Sequence, residues 1–160
     1  MSEEKKIRIR QIELRLHSHA TESLPKIQDA LKSYLPDELD AKNYSISNMA
    51  GSYGNPIRGI EVKITKQKFI SDFLENLGQT MPSTDKTQLI KELDQRVDEK
   101  YNFYFRIAKQ GLMLGKTVLA NATKDIIQII ISFHNLNPKS QLTIDDIRNY
   151  LISGGFFQPS

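Results

Sequence analysis

Apolar residues recur at every second position in some stretches of this chain and at every third or fourth in others, and the two periods divide it into strands and helices. Ile7 and Ile9, then Ile12, Leu14 and Leu16, alternate with Arg8, Arg10, Glu13 and Arg15. The alternation slips near Arg10 and Gln11, which predicts a strand with one wet face and a bulge or late start at the slip. After His19 and Ala20 the period lengthens: Leu24, Ile27, Leu31, Tyr34 and Leu35 predict a helix, with Thr21 or Ser23 to cap it, Pro25 in its first turn and Pro36 to stop it.

Tyr44–Ala50 reads as a second strand, and Ile60, Val62 and Ile64 against Glu61, Lys63 and Thr65 as a third, joined through a turn from Gly51 to Pro56. Phe69, Ile70, Phe73, Leu74 and Leu77 predict an amphipathic helix ended by Gly78. Leu89, Ile90, Leu93 and Val97 predict another, with a strongly charged outer face. Tyr101, Phe103, Phe105 and Ile107 alternate with Asn102, Tyr104 and Arg106, and residues 125–134 are β-branched enough for a central strand. Thr143 with Asp146 resembles a capping box opening a last helix, with Ile144, Ile147 and Leu151 inward and Gly154 and Gly155 at its end. The order strand, helix, strand, strand, two helices, strand, strand, helix implies an α+β fold. A single antiparallel or partly mixed sheet with helices packed mainly on one face is the economical way to bury such elements.

With 160 residues the chain is long enough for one domain with its own core, residues 1–5 and 156–160 being expected to fray. It contains no cysteine, which excludes disulfides, thiolate metal sites and cysteine nucleophiles. The N-terminus lacks a secretory apolar segment, and the longest apolar run, residues 126–133, is broken by Gln128 and too short to span a bilayer. A soluble, cytoplasmic protein with no membrane partner is expected. Net charge is only +3, but residues 58–68 and 106–124 hold a single acid, Glu61, while acids concentrate in 37–40 and 85–99. A fold that joins the two basic segments would make one face far more positive than the whole.

Three groups of residues invite a chemical reading. In the turn Tyr53, Gly54, Asn55, Pro56, Ile57, glycine and asparagine tolerate positive φ, so consecutive N–H groups can face a phosphate while Tyr53 stacks on a base; hairpin geometry alone explains every residue except the tyrosine. Arg58, Lys63, Lys66 and Lys68 follow that turn, and Arg106, Lys109, Lys116 and Lys124 flank the second segment, so both can track a sugar-phosphate backbone beside Tyr101 or Tyr104; a solvated cationic face is the plainer reading. Phe103 and Phe105 fall on the apolar side of their strand and belong to the core. His17 and His19 share a strand face, but Glu13 and Glu22 complete no recognised metal spacing, and a polar strand end is the better reading. His134 is expected to be structural.

Catalytic patterns are missing. Gly111 to Thr117 resembles the tail of a phosphate-binding loop, but its required first glycine would fall at Gln110. Asp94 with Asp98 reads as a solvated helix face, and Asp145 with Asp146 as helix capping, rather than as general acids or metal ligands.

The segments His17 to Glu22, Tyr53 to Ile57 and Arg106 to Gly115, in this order and spacing, resemble an archaeal family described as predicted exosome subunits or RNA-binding proteins. Its fold is similar to the 5S rRNA-binding ribosomal protein and loosely to double-stranded-RNA-binding domains. This chain departs from the family pattern at Ser23 and Ala108, where acids are usual. The resemblance implies a non-catalytic, cofactor-free RNA-binding protein linked to RNA processing or ribosome-associated complexes. The candidate RNA contacts are Tyr53, Gly54, Asn55, Arg58, Lys63, Lys66, Lys68, Tyr104, Arg106, Lys109 and Lys116. Partner proteins of an RNA-processing complex and a homodimer stay open, and a protein scaffold without direct RNA binding is the alternative; a metal-dependent nuclease would need acids such as Asp145 and Asp146 to converge beside the basic surface.

Overall fold

The structure, a computed structural model, describes residues 7–19, 24–35, 43–50, 56–121 and 125–154. The segments of period two form one five-stranded antiparallel sheet from β1 (Ile7–His19), β2 (Tyr44–Ala50), β3 (Pro56–Ile64), β4 (Asn102–Ala108) and β5 (Ile126–Asn135), in the order β2-β3-β1-β5-β4. The first strand in sequence is thus central, pairing antiparallel with β3 on one side and β5 on the other. Register shifts between Ile9 and Gln11, where the hydropathy pattern slips, so the bulge returns Ile12, Leu14 and Leu16 to the side that Ile7 and Ile9 occupy.

Six helices are described: α1 (Leu24–Tyr34), α2 (Gln67–Thr80), α3 (Ser83–Lys91), α4 (Leu93–Arg96), α5 (Lys109–Met113) and α6 (Ile144–Ser153). Their apolar stripes, among them Leu31, Phe73, Leu77, Leu89 and Leu151, join one face of the sheet in one buried cluster that includes Phe103, Phe105 and Phe133. Phe103 and Phe105 are core residues as their alternation predicts, with ring centroids 5.2 Å apart. The opposite sheet face carries the other parity of every strand. The architecture is the expected α+β sheet with one-sided helices, all strand pairs being antiparallel.

The start of α6 follows the local chemistry that predicts it. Thr143 accepts from the Asp146 N–H at 3.1 Å, and Asp146 accepts from the Thr143 N–H at 2.9 Å, closing the capping box of α6. Two expectations need correction. Gly78 does not end α2: the helix runs on to Thr80 because Leu77 and Met81, on either side of it, both pack into the core. The helix expected across Leu89 to Val97 breaks at Glu92 into α3 and α4, and Val97 is extended, bridging to Phe103. Asp98 therefore lies beyond the helix, in the turn into β4. The five-residue α5 was not foreseen. It ends in a Schellman arrangement, with Gly115 at φ 72° and the Lys116 N–H bonded to the Gly111 carbonyl at 2.8 Å.

Candidate nucleic-acid interface

Strand alternation settles which side chains share the face away from the helices. On β1 these are Arg8, Gln11, Glu13, Arg15 and His17; the paired positions are Glu61 and Lys63 on β3, Gln128, Ile130, Ser132 and His134 on β5, and Asn102, Tyr104 and Arg106 on β4. One register row crosses the whole sheet: Ser45, Glu61, Arg15, Gln128, Arg106. Arg8, Arg15 and Lys63 are exposed on this face, and the exposed Arg10 sits at the bulge. The anions between them are Glu13 and Glu61. Glu13 is buried and takes the Arg15 guanidinium at 3.1 Å, while Glu61 lies 3.9 Å from the same side chain. Arg15 is thus paired with two carboxylates, and the other cations on this side are Arg8, Arg10 and Lys63.

The end of this face is extended from the helical layer. Gln67 at the start of α2 donates its amide Nε2 to the Ile9 carbonyl at 2.8 Å, which anchors the exposed Lys66 and Lys68 beside Arg8 and Arg10. The Lys66 ammonium rests 5.5 Å from the centre of the Phe69 ring. The starts of α2 and β1 thus lie together, each carrying two exposed cations.

Tyr104 is the aromatic of the face. Its hydroxyl donates to Asp98 Oδ2 at 3.1 Å; burial and then this bond hold the phenol above its usual range. Burial opposes the charge of Asp98, but the Asn102 N–H and side chain, the Lys100 N–H and the Tyr104 hydroxyl together hold its carboxyl below the usual range. Asp98 therefore orients Tyr104; it is exposed, as its spacing from Asp94 suggests, but lies beyond the helix.

The predicted contact residues divide accordingly. Lys63, Tyr104 and Arg106 share the helix-free face, with Lys66 and Lys68 at its end. Arg58 has the parity of Ile60 and Val62 and so belongs to the other face, although it is exposed near the strand end. Lys116 is exposed in the loop after α5; the neighbouring Thr117 is fully buried, with its hydroxyl 2.7 Å from that of Thr80 on α2, so this loop belongs to the helical layer. Lys109 is a correction. It is only 4% exposed, its ammonium donates to the His17 carbonyl at 2.8 Å and lies 3.9 Å from Asp125, and it braces α5 against β1 instead of facing a ligand. Tyr53, Gly54, Asn55 and Lys124 lie outside the described residues. His134 is exposed opposite Arg8 rather than buried in the core.

Arg8, Arg10 and Arg15 are functional candidates absent from the predicted set, though the alternation of β1 already placed them on a wet face. Among the described residues, no group of three or more His, Asp or Glu side chains could hold a metal ion, and no helix is long and apolar enough to cross a membrane. Asp145 pairs with Arg148 and Asp146 closes the capping box, so both acids that would serve a hydrolytic metal have partners on α6.

A family described as RNA binding matches residues 11–133, from the central strand to the end of β5. The chain belongs to this family. An RNA-binding protein of Pyrococcus abyssi is 29% identical over 148 residues, covering 91% of this chain and 96% of the relative. An uncharacterised protein of Methanocaldococcus jannaschii is also 29% identical, over 77% of this chain and 83% of its own. A solved structure from Methanothermobacter thermautotrophicus, 23% identical, superposes with a TM-score of 0.70 over 89% of this chain and 98% of its own, a likeness of fold.

Proposed function

We propose that this protein binds RNA without catalysing its turnover, holding the phosphate backbone on the helix-free sheet face. The observation that carries the proposal is that Arg8, Arg15, Lys63, Tyr104 and Arg106 share the sheet face that the described helices leave uncovered, with Arg10 at the bulge and Lys66 and Lys68 exposed at the start of α2. Cations so placed neutralise phosphates and position the strand, and a tyrosine among them offers a stacking surface. The family and the Pyrococcus abyssi relative, itself named an RNA-binding protein, support the class of ligand. The cellular setting we propose is RNA processing, as part of or beside the exosome, or ribosome-associated assembly in the cytoplasm; the likeness to the 5S rRNA-binding ribosomal protein motivates the second. Arg58 and Lys116 would then contact flanking RNA from outside this face, and Tyr53, Gly54 and Asn55 stay candidate contacts.

Fluorescence anisotropy with structured RNA, single-stranded RNA and a matched DNA duplex, each titrated with salt, tests the reading. The expected result is RNA binding whose log affinity falls linearly with log salt; no binding at low salt would overturn it. One observation favours a protein scaffold as the second reading: Ile46, on the outermost strand β2, is 48% exposed. That reading predicts concentration-dependent association in sedimentation and only slight salt dependence of any RNA binding.

A further inference from the structure

The outer edge of β4 is closed at both ends and open in the middle. Below, Asp98 occupies Asn102: the Asp98 N–H bonds the Asn102 carbonyl at 3.0 Å, and Asp98 Oδ1 accepts the Asn102 N–H at 2.9 Å. Above, the Arg106 carbonyl accepts from the Ala120 N–H and the Ala108 N–H donates to the Val118 carbonyl, each at 2.8 Å. By strand alternation the N–H and C=O of Tyr104 point outward between these closures; the bridge of Val97 to Phe103 sets the Arg96 carbonyl opposite the Tyr104 N–H, which leaves the Tyr104 carbonyl at the gap. The gap is a cleft of about 340 Å³ at the border of the helix-free face, lined by Tyr104, Arg106 and Gln128 from the sheet and by Gln95, Arg96 and Asn121 from the segments on either side.

The chemistry of that lining is selective. The side-chain amides of Gln95, Asn121 and Gln128 have no hydrogen-bond partner among the described residues, and each presents a donor beside an acceptor, with the Tyr104 carbonyl as a further acceptor. A phosphate accepts only, and would leave the amide oxygens and the Tyr104 carbonyl without a donor. A nucleobase edge offers donors and acceptors in alternation, which amides match. Arg96 is held at 3.0 Å by Glu92, which fixes one wall of the cleft. The volume lies near the lower end of the roughly 300–1,000 Å³ typical of small-ligand sites, room for one base and not for a duplex.

We infer that this cleft takes one unstacked nucleobase of a single-stranded RNA whose backbone crosses the sheet face. The inference rests on the RNA-binding reading and adds strandedness and base discrimination to it. Its test is anisotropy binding of the full chain to short homopolymers of A, C, G and U and to an RNA duplex, with Asn121→Ala/Gln128→Ala and Gln95→Ala beside the wild type. Neither variant removes a bond that holds the described fold. The expected result is a spread of about tenfold or more among the four homopolymers, lost in the variants with an unchanged salt slope, and weaker binding of the duplex. Equal affinity for all four bases in every protein, with a steep salt slope, would overturn the cleft and leave the RNA-binding reading standing. No binding of any RNA would overturn both.

Discussion

Two charged residues show how far apart position in the sequence and position in the molecule can lie. Lys109 sits in a basic run and reads as a surface cation, but its ammonium is spent on the His17 carbonyl inside the fold. Lys109→Ala should therefore destabilise the protein by about 1.5–3 kcal/mol, the range for a hydrogen bond to a charged group, while leaving the salt slope of RNA binding unchanged. Urea unfolding and anisotropy on the same variant separate the two effects; a shallower salt slope at unaltered stability would show the lysine at the interface. Asp98 is the converse. Its lowered folded pKa means that its contribution is fully present above the ordinary aspartate value near 3.9 and is lost as pH falls through the depressed folded value. Glu92 is lowered too, chiefly by the Arg96 hydrogen bond, and adds loss in the same direction. Wild-type urea midpoints should thus drop steeply below about pH 4. Asp98→Asn should be less stable at neutral pH and follow a flatter acid limb, so parallel curves for the two proteins would refute the anchoring role. Neither fate is visible in one sequence, because both depend on which carbonyls and donors the tertiary fold brings within 3 Å or so.

At the scale of elements, periodicity carried the reading wherever an element was long enough to show it. The 13 residues of β1, bulge included, the pairing of Tyr44–Ala50 with β3, and the capping box of α6 all follow from local pattern. The failures have separate causes. Gly78 reads as a stop, but burial of Leu77 and Met81 outweighs the roughly 1 kcal/mol that glycine costs within a helix. The five residues of α5 are too few for a helical period, so Lys109 to Gly115 reads as loop chemistry. Gly115 is the residue in that turn whose type the backbone demands. At φ 72°, Gly115→Ala should cost about 1–2 kcal/mol in urea unfolding even though its added methyl meets open space. No change in stability would mean that the turn relaxes to another conformation.

For the whole molecule, the decisive fact is that the earliest strand is the central one. Once β1 lies between β3 and β5, its wet face becomes the middle of a surface to which Lys63, Gln128, Tyr104 and Arg106 contribute from three other strands. Fold class and one-sided helices were legible from alternating strands and striped helices. Strand order was not, since antiparallel strands of similar composition can be ordered several ways, and face membership of Arg58 against Lys63 turns on parity within a strand whose start had to be known. Two variants of equal charge change separate the faces most directly: Arg8→Gln/Lys63→Gln/Arg106→Gln on the helix-free face, and Arg58→Gln/Lys91→Gln/Lys116→Gln away from it. Their single-stranded RNA affinities across salt should differ in kind, the first losing affinity with a slope of log affinity against log salt reduced by about 2, the second keeping the wild-type slope. Equal losses in both variants, or a loss confined to the second, would contradict binding on the helix-free sheet face.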